Sequence, residues 1–248
     1  MIIAAFCATG FAVAGIHAIG LIKNPASQLH NSAFRIALFI GAIAGILQPL
    51  QGDRLAKRTA VLQPAKLAAM ESLFRTTKAA PLSIGGIPSE KTATVRYGIQ
   101  IPGLLSFLAH GDFEAEVTGL DRFPREHWPP VTVTHIAFQI MISIGMLLAA
   151  VSAWSLFALW KKFSCLHTRN ALRLFAFCAP LGFVAIEAGW TVTEVGRQPW
   201  IIYGIMKTQD AVTPMPGLVY PMMLFMCVYI LLAFVVTWLM VRQFRHVR

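Results

Sequence analysis

Only 13% of the 248 residues are charged and 56% are hydrophobic, whereas soluble domains are about 25% charged and about 45–50% apolar. This composition argues against a soluble globular domain and predicts an all-α, polytopic transmembrane helix bundle. The net charge is +10, but the basic residues do not alternate with aromatic residues as they do on a nucleic-acid-binding face. We therefore expect membrane lipid as a partner and no nucleic acid.

Five apolar runs have the length of about 20 residues that a membrane-spanning helix needs. They cover residues 1–22, 31–50, 131–160, 172–193 and 218–241. A polar segment rich in Pro and Gly separates the second run from the third, and the stretch 64–74 within it predicts a short surface helix because its residues favour helix. The sequence therefore predicts a transmembrane helix pair at 1–51, one large external loop at 52–130 and three transmembrane helices at 131–248.

The placement of positive charge predicts the orientation of the helices. Nine basic residues lie in two short connections and the C-terminal tail, none of which contains an acidic residue. They are Lys23, Arg35, Lys161, Lys162, Arg169, Arg173, Arg242, Arg245 and Arg248. Basic connections usually face the cytoplasm, so we expect the C-terminus to be cytoplasmic, and the N-terminus and the 52–130 loop to lie outside.

Two acidic residues fall in the fourth apolar run. Glu187 and Glu194 are seven residues apart, which is about two helical turns, so both point to one face of a helix. Ionisable groups at membrane depth are costly and usually functional. They suit a proton path, a cation site or a ligand for iron. The alternative for Glu194 is an ordinary ion pair at the end of the helix with Arg197.

The segment around Glu194 reads GWTVTEVGRQPW, from Gly189 to Trp200. It resembles the signature of subunit I of cytochrome bd-type quinol oxidases. The resemblance implies that Glu194 is an axial ligand of the high-spin haem b, which lies beside haem d, and that Trp190 and Arg197 contact the cofactor.

A second match lies in the third span, at Phe138–Met141. A methionine on an apolar helix is usually a core residue. This run is similar to the F-R-x-M pattern of the same family, however, and the resemblance implies that Met141 is an axial ligand of the low-spin haem b. Gln139 stands where the family typically has Arg, beside the cofactor.

The third match is in the loop, where residues 63–71 read QPAKLAAME. The family's quinol loop carries a similar run, which implies that Lys66 and Glu71 bind and oxidise quinol. A carboxylate with a nearby ammonium is suited to binding quinol hydroxyls and accepting their protons. Asp53 is a weaker match to an acidic residue at the loop entry. The alternative is an amphipathic surface helix with ordinary charges.

The resemblance covers the whole chain and corresponds to the fifth to ninth helices, the C-terminal half, of a family member. The loop is short, as in the often cyanide-insensitive branch. The resemblance implies a subunit of a bacterial plasma-membrane oxidase that passes electrons from quinol through two haems b and haem d to oxygen. Its partners would be subunit II and the N-terminal half of subunit I.

The four earlier helices, the haem d ligand and the His ligand of the low-spin haem b would lie outside these 248 residues, so we expect the chain to be inactive alone. The alternatives are a proton-coupled transporter or channel that uses Glu187 and Glu194, and a remnant of the subunit that binds no cofactor.

Overall fold

The computed structural model describes residues 2–161 and 164–246, so Lys162 and Arg248, two of the residues that predict the orientation, lie outside the described part. The helices are α1 (Ile2–Lys23), α2 (Gln28–Leu62), α3 (Pro64–Glu71), α4 (Leu104–His110), α5 (Val131–Trp160), α6 (Arg169–Cys178), α7 (Leu181–Val195) and α8 (Val219–His246). Five helical stretches are long and apolar enough to cross a membrane, with α6 and α7 counted as one. The predicted all-α class with five spans is confirmed.

The connections between helices contain short strands, which pair in antiparallel fashion. The strands are β1 (Thr77–Lys78), β2 (Leu82–Ile84), β3 (Ile87–Ser89), β4 (Thr94–Arg96), β5 (Ile99–Ile101), β6 (Glu116–Val117), β7 (Trp200–Ile202) and β8 (Met206–Lys207). The pairs are β1 with β6, β2 with β5, β3 with β4, and β7 with β8. Residues 1–208 form one compact unit, and α8 belongs to a second unit, 209–248.

The helix boundaries differ from the predicted spans at two places. Helix α2 continues to Leu62, beyond the apolar run that ends at residue 50, because the polar residues that follow still favour helix and Lys57 forms an ion pair of 2.8 Å with Asp53 one turn earlier. The predicted fourth span is divided between α6 and α7 at Pro180, which lacks the N–H for a helical hydrogen bond and whose ring disfavours an unbroken helix.

The spans in the first unit form a ring in which α1 packs on α2 and α6, and α5 packs on α2 and α7. Small residues allow the close approach of α1 and α2: a Cβ on Gly10 would lie 2.5 Å from the Cα of Gly41. Phe11, Phe34 and Phe175 are fully buried in the centre of this ring. Close packing through small residues is typical of helices in membranes.

The segment between α2 and α5 is a folded layer with its own core. Leu67 and Phe74 pack with Leu105 and Leu120 in a buried cluster that also includes the first residue of α5. The layer is attached to α5 by Glu90, whose carboxylate accepts a hydrogen bond of 2.9 Å from the backbone N–H of Val131. An anionic acceptor at a helix N-terminus satisfies a free N–H and complements the helix dipole.

Candidate functional site

The helix α3 contacts the end of α7. Lys66 Nζ donates a hydrogen bond of 3.4 Å to the carbonyl oxygen of Thr193, and a Cβ on Gly196 would lie 3.5 Å from Lys66 Cε. Burial lowers the pKa of Lys66, the positive charge of Arg197 acts in the same direction, and the Glu194 carboxylate opposes both. The folded loop therefore brings the KLAAME helix onto the GRQPW segment.

Glu194 forms the ion pair that its sequence position suggested. Arg197 Nη2 donates to Glu194 Oε2, and the two side chains are 35% and 44% exposed, respectively. The carboxylate is therefore not enclosed by the described residues, and the ion pair occupies only one of its oxygens. The Nε of Arg197 is buried and has no hydrogen-bond partner among the described residues.

A small cavity of about 10 Å³ separates the start of α3 from the GRQPW segment, with Lys66, His127, Arg197, Trp200 and Tyr203 among its lining residues. This is room for roughly one water molecule. Burial raises the pKa of Tyr203, and a hydrogen bond with the backbone of Ala65 opposes the shift. Sequence reasoning missed Tyr203 and His127, since neither belongs to a recognised motif.

Glu71, at the other end of α3, lies in a different environment from Lys66. Its side chain is only 4% exposed, and its Oε2 has no hydrogen-bond partner among the described residues. Burial raises the pKa of Glu71 to about 8, and a hydrogen bond from the backbone of Ser83 opposes the shift. Within the described part of the chain no ion pair joins Lys66 to Glu71, so the carboxylate has no ammonium directly beside it.

Met141 is a residue of α5 whose side chain faces Gly189 of α7. A Cβ on Gly189 would be 2.9 Å from Met141 Sδ, so the absence of a side chain at Gly189 makes room for the thioether. Met141 also packs on a small buried cluster that includes Met70, the neighbour of Glu71 in the chain. The candidate haem ligand and the candidate quinol residue therefore belong to adjoining parts of one structure.

Gln139 is bonded to the loop backbone. Its Nε2 donates to Ser83 O at 2.8 Å, and its Oε1 accepts from Gly85 N at 3.0 Å. Asp53 lies on the extended part of α2, where its side chain is 42% exposed and paired with Lys57.

Glu187 and Trp190 lie on the exposed surface of α7. The described residues include no group of three or more His, Cys, Asp or Glu that could hold a metal ion. A haem provides four nitrogen donors itself, so single ligands such as the Met141 thioether or the Glu194 carboxylate fit an axial position.

Residues 1–248 match the family model described as cytochrome bd terminal oxidase subunit I. The chain belongs to this family. It is 36% identical over 251 residues to a putative cytochrome bd menaquinol oxidase subunit I of Bacillus subtilis strain 168, which covers 99% of the chain and 56% of that relative. It is 30% identical over 259 residues to the cytochrome bd ubiquinol oxidase subunit 1 of the same strain, covering 96% of the chain and 54% of the relative.

A solved structure, the bd oxidase from Geobacillus thermodenitrificans, has the same fold, with a TM-score of 0.86 and 34% identity. That match covers 98% of this chain and 56% of the other. The chain thus spans about half the length of the relatives that it matches. It is a multi-pass membrane protein of a bacterial cytochrome family whose members bind haem.

Proposed function

We propose that the chain is the C-terminal half of subunit I of a bd-type quinol oxidase of the short-loop, cyanide-insensitive-like branch, and that it takes part in electron transfer from quinol to oxygen. The observation that carries the proposal is the packing of α3 against the ends of α5 and α7. It brings Lys66 to the Glu194 segment and Met70, beside Glu71, to Met141. Family membership favours this function over the transporter or channel.

The environment of Glu71 supports quinol oxidation, in which one quinol becomes a quinone and releases two electrons and two protons. A carboxylate oxygen that is buried without a partner favours a hydroxyl donor, because burial without a hydrogen bond is costly. Its raised pKa lies close to neutral pH, as is suited to a general base. In this proposal Glu71 accepts a proton from quinol. Lys66, at the opposite end of α3, contributes to quinol binding. Asp53, at the loop entry, has a lesser role.

Two side chains with possible donor atoms for iron support two haem sites in the proposal. Met141 would hold the low-spin haem b and Glu194 the high-spin haem b, with Arg197, Gln139 and Trp190 as further cofactor contacts. Bound haem would supply the one-electron chemistry between quinol and oxygen. The remaining ligands of the low-spin haem b and of haem d would come from the rest of subunit I.

We expect the exposed face of α7, which carries Glu187 and Glu194, to be covered in the complete protein. Glu187 and Glu194 lie about two turns apart in or at the end of a span, and a charged group facing lipid would cost a few kcal/mol. The rest of subunit I, subunit II or a haem would cover them, and Glu187 would be a weaker candidate for a proton path. The complex lies in the bacterial plasma membrane with the N-terminus of this chain outside.

The test is quinol oxidation by the intact complex that contains this chain. Lys66→Ala and Glu71→Ala are each expected to lower the rate about a hundredfold or more, as loss of a general base or a binding charge does, while haem content stays nearly normal. Lys78→Ala and Glu114→Ala change exposed loop residues of the same types and serve as controls. Wild-type rates in both test variants would show that the loop assignment is wrong.

A further inference from the structure

A fully buried histidine of α5, His135, contacts two segments of the loop. Its Nδ1 lies 2.8 Å from the carbonyl oxygen of Met70, and its Nε2 lies 3.2 Å from the carbonyl oxygen of Gly85. Each ring nitrogen faces an acceptor, so the ring ties one segment or the other to α5 through whichever nitrogen carries hydrogen. The two segments are separate in the sequence, and His135 lies against both.

Gln139, one helical turn after His135 on α5, also binds the loop. Its amide bonds both to Ser83 O and to Gly85 N, so the strand end at 83–85 is held to α5 by Gln139 and also lies against His135. Gly85 has φ of +67°, a conformation that favours glycine, and this lets the chain turn at the point where His135 and Gln139 hold it. The segment is therefore fixed in position by α5 rather than by its short strand pair alone.

Glu71 adjoins both segments that His135 contacts. It follows Met70 directly in α3, and the backbone of Ser83 hydrogen-bonds to its carboxylate. The side chain is 4% exposed, and its Oε2 is without a partner in the part of the chain that the structure describes. His135 therefore contacts both the residue that precedes Glu71 and the segment whose backbone hydrogen-bonds to the Glu71 carboxylate.

We propose that His135 is a positioning residue for quinol oxidation, which keeps Glu71 enclosed and directs its unpartnered oxygen toward a hydroxyl of the bound quinol. The inference rests on the proposed function and adds a residue to it. His135 acts through Met70 and Gly85 and has no contact with quinol itself. Without the ring, the contact of α5 with the end of α3 and with Gly85 is weakened, water reaches the carboxylate, and proton transfer from the quinol loses its alignment.

The experiment measures kcat and KM for quinol in the intact oxidase complex, with each rate divided by haem content. His135→Ala is expected to lower kcat per haem about tenfold, the effect of losing about one buried hydrogen bond, while the reduced-minus-oxidised haem spectrum is unchanged. A purely structural role would reduce the amount of complex but not the rate per haem. Ser155→Ala, which removes another fully buried polar group of α5, is the matched control.

Conservative variants and a double variant test whether His135 acts through its hydrogen bonds and through Glu71. His135→Asn can donate at the Nδ1 position to Met70, and His135→Gln at the Nε2 position to Gly85, so at least one is expected to recover most of the rate. In a Glu71→Gln background, His135→Ala is expected to have little further effect, because both changes act through one carboxylate.

The outcomes separate this inference from the proposed function. If Glu71→Gln oxidises quinol at the wild-type rate, the proposed role of the loop is wrong and the inference falls with it. If Glu71→Gln is slow but His135→Ala keeps the wild-type kcat and KM, only the inference is overturned. It is also overturned if neither conservative variant recovers any rate, or if His135→Ala has its full effect in the Glu71→Gln background.

Discussion

The pH dependence of quinol oxidation should follow the ionisation of Glu71, because a proton acceptor must be deprotonated to act. With a pKa of about 8, about one-tenth of the carboxyl groups are ionised at pH 7 and about nine-tenths at pH 9. At saturating quinol, the rate of the intact complex is therefore expected to rise about tenfold between these two pH values. A carboxyl with the ordinary value of 4.5 would be fully ionised throughout this range and would produce no rise.

The assay is oxygen consumption from pH 6 to 9, with the enzyme-free oxidation of quinol subtracted at each pH. Glu71→Gln is expected to be slow and to show no rise, since the amide does not titrate. Lys66→Arg keeps a positive charge but removes the other titrating group of α3, so the rise should persist in this variant. A flat profile in the wild-type complex, or a rise that disappears in Lys66→Arg, would refute the reasoning.

Three further predictions concern orientation and haem. A reporter that is active only outside the cytoplasm is expected to be silent when fused to the C-terminus, because the basic connections favour the cytoplasmic side; activity there would reverse the orientation. The 248-residue chain alone is expected to bind little haem, because in the proposal Met141 and Glu194 would each supply a single ligand. Stoichiometric haem in its reduced-minus-oxidised spectrum would contradict this. In the intact complex, Glu194→Ala should selectively remove the high-spin haem b signal, and Glu114→Ala should not.

Local patterns in the sequence were sufficient to predict most of the helices. The predicted span 131–160 agrees with α5, since two prolines precede it and a charged residue follows its apolar run. A short helix in the loop was also predicted, but its predicted place at the surface was wrong, because most residues of α3 are buried. It ends at Glu71 because Ser72 adopts a left-handed conformation. The end of α2 was missed because loss of hydropathy marks the end of an apolar run but not the end of a helix.

Motif resemblance identified Lys66, Glu71, Met141 and Glu194 as candidates, but it contained no information about which of them meet. Lys66 reaches Thr193, 127 residues away in the chain, and only the folded loop places them together. The pairing of Glu194 with Arg197 could be anticipated because it connects adjacent helical turns.

The sequence by itself determined the membrane class, the number of spans and the family, because these depend on composition, apolar run length and motif order. Only the tertiary structure decided that Glu71 is buried and separate from Lys66, and that His135 contacts the segments of Met70 and Gly85. Burial and hydrogen bonding at these positions depend on segments such as 83–85 that lie far away along the chain. Such contacts arise from packing of the whole layer, and no local pattern encodes them.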